Sequence, residues 1–90
     1  MCKKVLIENI VFCQGDDYIE SMDDMSDSDL VNYLLEWWYP GEHDTNWYDA
    51  RGINTPFLGY EYKLDSDVFL LSHNRRMGYA GISRVLEYSE

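Results

Sequence analysis

The stretch that decides the fold is residues 58–88, LGYEYKLDSDVFLLSHNRRMGYAGISRVLEY. Its first part, 58–64, alternates large apolar residues with glycine or charged residues, which is typical of a strand with one buried face. A turn is expected at Asp65-Ser66-Asp67 and a hairpin loop over residues 74–78. We therefore expect three consecutive antiparallel strands, a meander, over residues 58–64, 68–73 and 79–88.

Three further elements are predicted on the N-terminal side of this meander. Residues 5–12 are rich in β-branched and aromatic residues and indicate an N-terminal strand, although their apolar positions also fit a helical stripe. Apolar residues at helical spacing predict a short helix over residues 16–24. A second helix is expected to begin after Ser26, its N-cap, and to stop at Pro40-Gly41. The predicted fold class is α+β: a three-stranded antiparallel meander, extended by a fourth strand if residues 5–12 join it, and covered by one or two helices.

The length and charge of the chain exclude several classes of function. A chain of 90 residues forms one domain, residues 1–90. Its formal net charge is -10, from 17 acidic and 7 basic side chains, so nucleic acid and anionic membranes would repel it. No apolar stretch is long enough to cross a bilayer. Cys2 and Cys13 have no metal or redox spacing, which favours free thiols in a reducing cytoplasm.

The negative charge is concentrated in one part of the sequence. Residues 1–49 carry twelve acidic side chains against two lysines, whereas residues 50–90 carry five of each sign. The densest region is residues 16–29, which holds seven carboxylates and no base: Asp16, Asp17, Glu20, Asp23, Asp24, Asp27 and Asp29. On the predicted helix four of them would form one stripe with a carboxylate about every 5.4 Å, a spacing comparable to that of phosphates along a nucleic-acid strand.

Three interpretations of residues 16–29 compete. A calcium loop would need a central glycine, alternating ligands and a terminal bidentate glutamate, and these are missing. A solvated face that leads into a capped helix explains Asp27 and Asp29, which suit the positive end of a helix dipole. It does not explain the absence of lysine, because solvated helix faces usually mix both signs. Mimicry of nucleic-acid charge, directed at a basic protein, explains that absence.

Aromatic residues give a second candidate for contact with a partner. Residues 39–56 predict a long loop that carries Trp47 and Tyr48, and loops of this length are more often functional or self-packed than idle. Trp37 and Trp38 are neighbours about 100° apart on the predicted helix, so one of them should lie at the edge of its apolar stripe. Most of these aromatic residues are expected to fill the core, and Trp38, Trp47 and Tyr48 are predicted as interface anchors.

This combination resembles a class of small inhibitors. Seven clustered carboxylates on a small acidic α+β domain are similar to those of short proteins encoded by phages and mobile elements, the anti-CRISPR and antirestriction proteins, several of which imitate DNA. The resemblance implies a cytoplasmic location in a host cell and a basic nucleic-acid-binding protein, such as a nuclease or CRISPR effector, as the partner. It also implies no direct contact with nucleic acid or membrane. The expected role is a non-enzymatic inhibitor.

Two alternatives from other classes remain. Trp47, Tyr48, Arg51, Arg75 and Arg76 could cradle a nucleotide, with a base stacked on the rings and a phosphate paired to guanidinium groups. Alternatively the chain is an assembly subunit that associates with itself and whose acidity only confers solubility.

Catalytic and metal-binding motifs are not recognisable in the sequence. Glu42, His43, Asp44 and Asp49 are potential metal ligands, but they fall in a predicted loop that would not fix their geometry. No catalytic motif is present, so no enzyme activity and no cofactor are expected.

Overall fold

The computed structural model of the chain describes residues 3–39, 43–52 and 59–89. These residues form one five-stranded antiparallel sheet and one α-helix. The strands are β1 (Lys4–Gln14), β2 (Thr45–Asp49), β3 (Tyr60–Leu64), β4 (Asp67–Asn74) and β5 (Tyr79–Ser89), and the helix is α1 (Asp27–Leu35). The strand order is β2-β1-β5-β4-β3. The α+β class is consistent with this architecture, but the expected three-stranded sheet is wrong, because the N-terminal strand and one unpredicted strand complete a sheet of five.

The unpredicted strand is β2, which lies inside the predicted loop 39–56. It pairs antiparallel with the first half of β1, from Lys4 opposite Asp49 to Glu8 opposite Thr45. Its five residues are too few to show alternation in the sequence, and turn-forming residues flank them. The strand is therefore fixed by long-range pairing with β1 rather than by local preference. Residues 40–42 and 53–58 lie outside the described residues.

The prediction of a continuous helix over residues 16–24 is also wrong. The chain instead forms two short 3-10 helices, Gly15–Asp17 and Glu20–Asp24, separated by extended backbone at Tyr18 and Ile19. A continuous helix would place like charges three and four residues apart, which is unfavourable. The predicted straight stripe of carboxylates is accordingly absent, although the carboxylates still follow one another along one segment.

Helix α1 starts where its sequence signals indicate. The Asp29 backbone N–H donates a hydrogen bond of 3.2 Å to the Ser26 hydroxyl, which caps the helix. Leu30, Val31 and Leu34 are fully buried against the sheet. Regular helix ends at Leu35 and single turns follow, so it is shorter than the predicted segment ending at Pro40.

The core lies on both faces of the sheet. The larger cluster lies between α1 and the sheet and includes Met22 from the second 3-10 helix and Phe69 from β4. A smaller cluster of Val5, Ile7 and Leu70 lies on the opposite face, because adjacent strand residues point to opposite sides. Among the described residues, no helix has the length and apolar character required to cross a membrane.

Candidate functional site: an acidic end and an aromatic groove

The acidic segment, residues 16–29, follows the end of β1. Strand β1 brings the chain to the end of the sheet where Gln14 pairs with Tyr79, next to the β4–β5 hairpin. Gly15 turns the chain there with a φ of +64°, a conformation that glycine adopts without strain. All of the seven carboxylates except that of Asp23, which is half-buried, belong to exposed residues.

Two anchors hold this segment on the rest of the protein. Met22 is fully buried in the main core. The Tyr18 hydroxyl donates a hydrogen bond of 2.6 Å to Asp23 Oδ1 and lies 2.9 Å from His73 Nε2 on β4. Because the hydroxyl has only one proton, His73 donates its Nε2 proton to the Tyr18 oxygen. The carboxylates therefore project from a segment fixed at two points.

The ionisable groups of this anchor are perturbed by their surroundings. Burial, together with the hydrogen bond to Asp23, raises the pKa of Tyr18 to about 12. Burial and the nearby Arg75 guanidinium lower the pKa of His73 below its usual range, although Asp23 and Asp27 act in the opposite direction. Both groups are consequently neutral near pH 7.

The carboxylates of the acidic segment are not neutralised within the described part of the chain. The salt bridges there join Arg51 to Asp49 and Arg84 to Glu8 and Asp67, and none involves residues 16–29. Arg75 and Arg76 are the exposed bases of the neighbouring hairpin, and they form no salt bridge with any described residue. Seven carboxylates against these two arginines leave an excess of five negative charges at this end of the molecule.

An aromatic groove adjoins the acidic segment. It has a volume of about 200 Å³ and lies between the end of β1 and α1. Its lining includes Phe12 and Trp37, which are 56% and 53% exposed, and Asp17. The remaining lining residues are Val11, Cys13 and Tyr33. Large exposed aromatic residues beside carboxylates are suited to a protein partner that carries both apolar and basic groups.

One tryptophan of the Trp37–Trp38 pair is exposed and the other is half-buried, as their spacing predicts, but the exposed residue is Trp37. Trp38 is half-buried, packs edge-on against Phe69 with ring centroids 6.0 Å apart, and donates a hydrogen bond to Glu8. Its indole is thus committed to internal contacts. The sequence pattern shows only that one of the two lies at the edge, and the choice of Trp38 as an anchor is not supported by its position.

The other two predicted anchors lie away from the acidic segment. Trp47, which is 47% exposed, pairs with Leu6 near the start of β1, whereas the acidic segment follows Gln14 at its end. At about 3.3 Å per residue these positions are roughly 26 Å apart. Tyr48 is half-buried against the smaller core cluster and accepts a 3.3 Å hydrogen bond from Asn9. The aromatic residues that line the groove with Asp17 are instead Phe12, Tyr33 and Trp37.

The predicted nucleotide cradle is not assembled in one place. Arg51 pairs with Asp49 at 2.7 Å, and this guanidinium lowers the pKa of Asp49 to about 2. Arg75 and Arg76 lie at the β4–β5 hairpin, whereas Arg51 lies near the opposite end of β1. The two positions are separated by roughly 33 Å along that strand. Two separate groups therefore replace the single cradle, and nucleotide binding at either stays a prediction.

The metal ligands considered in the sequence are not brought together. His43 Nε2 accepts a hydrogen bond of 3.1 Å from the Tyr39 backbone N–H, and Asp49 is engaged by Arg51. Glu42 lies outside the described residues. In the described ranges, no group of three or more His, Cys, Asp or Glu side chains could hold a metal ion. Cys13 is a buried free thiol, and Cys2 lies outside the description.

A buried polar cluster beneath Trp38 was not foreseen from the sequence. The Glu8 carboxylate is in a residue only 3% exposed and accepts hydrogen bonds from Arg84 Nε at 3.1 Å and from Trp38 Nε1 at 3.2 Å. The Arg84 guanidinium also lies 4.9 Å from the Trp38 ring centroid and 3.7 Å from Asp67. The one feature of the sequence that indicates such a cluster is the position of Glu8, a charged residue inside the apolar run of residues 5–12. Every buried side-chain polar atom of the described residues, including those of this cluster, has a hydrogen-bond partner.

Known proteins provide no guide to the function of this surface. Comparisons with protein-family models, with curated proteins and with solved structures find no match for the chain. The resemblance to small acidic inhibitors stays a prediction. A function must therefore be inferred from the charge, exposure and contacts of the acidic end.

Proposed function

We propose that this protein is a non-enzymatic inhibitor that binds the basic, nucleic-acid-binding surface of a target protein by presenting carboxylates in place of phosphates. The target would be a nuclease, a CRISPR effector or another protein with a basic groove. The observation that carries the proposal is the acidic segment, because its seven carboxylates form no salt bridge within the described residues.

The arrangement of this segment supports binding rather than solubility alone. A protein needs only dispersed charge of modest size to stay soluble, whereas here the excess is gathered at one end. Concentrated charge of one sign creates a directional field that speeds encounter with a basic partner. The anchors at Met22 and Tyr18 limit the conformational entropy that the segment would lose on binding.

The aromatic groove adds apolar contact area to the charged contacts of the proposed interface. Phe12 and Trp37 offer apolar area beside Asp17, and interface energy is concentrated in large aromatic residues that become fully desolvated. A complex formed by both features should weaken with salt, because the charged contacts are screened, and should also weaken when an aromatic residue is truncated.

The test compares two variants of equal net charge in affinity capture from a bacterial lysate. The first neutralises exposed carboxylates of the acidic segment: Asp16→Asn, Asp17→Asn, Glu20→Gln and Asp24→Asn. The matched control neutralises four exposed carboxylates elsewhere: Glu36→Gln, Asp44→Asn, Asp65→Asn and Glu87→Gln. Asp23, Asp27 and Asp29 are kept because they stabilise Tyr18 and the start of α1.

The expected result is capture of nucleic-acid-binding proteins by the native chain and by the control variant, and their release by added double-stranded DNA. For a target identified in this way, affinity should fall on the order of tenfold or more between about 50 and about 200 mM salt. Equal capture by the acidic-segment variant, or captured proteins that DNA does not displace, would exclude nucleic-acid mimicry.

A further inference from the structure

Among the residues that the structure describes, β2 pairs with only the first half of the outer edge of β1. Strand β2 pairs with β1 from Lys4 to Glu8, and its last backbone contact is the hydrogen bond of 2.9 Å from the Asn9 N–H to the Asp44 carbonyl. A register irregularity between Asn9 and Val11 follows at once. Beyond it, β1 continues to Gln14 with β5 as its strand partner on one side and no strand partner among the described residues on the other.

Residues 10–14 are termed the free edge, because none of the described strands pairs with their outer side. In an antiparallel pair alternate residues direct their N–H and C=O groups away from the partner, so part of this segment points its hydrogen-bonding groups outward. Its five residues span about 17 Å at roughly 3.4 Å per residue. The segment reads IVFCQ and contains no lysine or proline, the residues that commonly protect an edge from additional strands.

The aromatic groove lies along the same edge. Val11, Phe12 and Cys13 of the free edge belong to its lining, together with Tyr33 of α1 and Trp37, which follows α1. Strand addition derives its affinity from backbone hydrogen bonds and its specificity from pockets for alternate side chains. The groove, whose lining includes the exposed Trp37, is such a pocket beside this stretch of backbone.

The negative charge beside the groove favours one kind of binding partner. Asp17 lines the groove and Asp16 precedes it in the chain, so a guanidinium or ammonium group entering the groove would meet a carboxylate and an aromatic face together. A second copy of this chain would bring another net charge of -10 to the same place. The complementarity therefore favours a basic segment of a different protein.

We propose that the free edge of β1 binds an extended, Arg- or Lys-containing segment of the target as an additional β-strand, whose basic side chains enter the aromatic groove beside Trp37 and Asp17. This inference rests on the proposed function, since it assumes a basic protein partner. It adds backbone pairing to what would otherwise be attraction between charged surfaces.

The experiment uses two synthetic peptides with the same side chains. Each has about seven residues in which Arg or Lys alternates with Val, long enough to cover the free edge. In the second peptide the backbone nitrogens of alternate residues are methylated, which removes hydrogen-bond donors along one edge and keeps the charge. Binding is measured by calorimetry, and amide hydrogen exchange is followed across residues 10–14 of the full chain.

Strand addition predicts at least about tenfold tighter binding of the unmethylated peptide, corresponding to about 1.4 kcal/mol. It also predicts slower exchange of those amides in residues 10–14 that exchange fast in the free protein. Trp37→Ala should weaken binding, whereas Trp47→Ala, which removes a similarly exposed indole at the other end of β1, should not.

The outcomes separate this inference from the proposed function. Equal binding of the two peptides, lost in the acidic-segment variant, would overturn strand addition and leave charge mimicry standing. Tighter binding of the unmethylated peptide that persists at unchanged affinity in the acidic-segment variant would support backbone pairing, but it would count against mimicry and against selection of a basic segment by Asp16 and Asp17. No binding of either peptide by the native chain, or sedimentation showing a dimer formed through this edge, would overturn the inference.

Discussion

The Trp38 indole N–H donates a hydrogen bond of 3.2 Å to the buried Glu8 carboxylate, which joins the segment after α1 to the middle of β1. Arg84 on β5 binds the same carboxylate oxygen and stacks on the Trp38 ring. The three side chains thus connect the helical layer with the two longest strands. This connection explains why Trp38 turns inward and Trp37 remains exposed beside the acidic segment.

Breaking this connection should destabilise the fold without altering the acidic end. Trp38→Phe keeps an aromatic ring over Phe69 but removes the donor to Glu8, and we expect a loss of about 1.5–3 kcal/mol in the free energy of unfolding, because the acceptor is charged and buried. Trp37→Phe should change it by less than about 0.5 kcal/mol. Urea unfolding followed by circular dichroism measures both values.

A double-mutant cycle distinguishes the hydrogen bond from simple loss of volume. If Glu8 and Trp38 interact directly, Glu8→Leu, which removes the acceptor, and Trp38→Phe, which removes the donor, should be non-additive by about 0.5 kcal/mol or more. Additive effects of the two substitutions would mean that the 3.2 Å contact contributes nothing measurable to stability.

The anchor between His73 and Tyr18 predicts a pH dependence of stability. Burial and Arg75 lower the folded-state pKa of His73 below its ordinary value of 6.5, so the unfolded chain binds the proton more readily. The stability that depends on neutral His73 is therefore complete above pH 6.5 and is lost as pH falls through the lowered folded-state pKa. Arg75 lowers the pKa of His73, and Asp23 and Asp27 raise it. Glu61 lies with His73 in the lining of a second groove.

His73→Gln isolates the contribution of this residue. The Gln amide can still donate to the Tyr18 oxygen but does not titrate. Chemical unfolding at a series of pH values should show the native chain losing stability relative to the variant below pH 6.5. Parallel curves for the two proteins would show that the folded and unfolded chains bind the His73 proton equally.

Gly59 is required by a close backbone approach. Its φ is +93°, and a Cβ at this position would lie 2.5 Å from the Leu71 carbonyl oxygen on β4. Because that atom belongs to the backbone of a central strand, Gly59→Ala should cost at least about 3 kcal/mol, the upper range of backbone strain. Gly15→Ala is the control, since it meets no atom within 4 Å and should cost only about 1–2 kcal/mol for its left-handed φ. Thermal unfolding of both variants checks the ranking.

The extent to which the sequence predicts this fold depends on whether the signal is local. The meander and the Ser26 cap are encoded by alternation and by a side-chain bond to a nearby N–H, and both are observed. Strand β2 and the 3-10 helices depend on contacts distant in sequence, such as Trp47 with Leu6 and Tyr18 with His73, which no local pattern reports. The acidic segment was visible in the sequence, but its aromatic neighbour Phe12 was not, because half-coverage of β1 becomes evident only when the sheet is assembled.

The uncompensated charge of the acidic segment should lower the stability of the isolated protein. Carboxylates held close together repel one another, and the described residues provide no salt bridge to offset this repulsion. The variant with Asp16→Asn, Asp17→Asn, Glu20→Gln and Asp24→Asn should therefore unfold at higher denaturant than the native chain at low salt. Urea is the suitable denaturant, because it is uncharged and does not itself screen the carboxylates.

Added salt gives the discriminating comparison. Screening relieves repulsion between exposed charges, so the native chain should gain stability with salt and the difference from the variant should shrink above about 0.15 M, where the screening length is about 8 Å. The control variant with Glu36→Gln, Asp44→Asn, Asp65→Asn and Glu87→Gln has the same net charge but disperses the change over the surface. If the two variants gain equal stability over the native chain, the gain depends on net charge alone, and the carboxylates of the acidic segment do not repel one another more than dispersed ones do. If the acidic-segment variant gains more, the folded protein maintains a locally unfavourable cluster of charge, which a basic partner would relieve on binding.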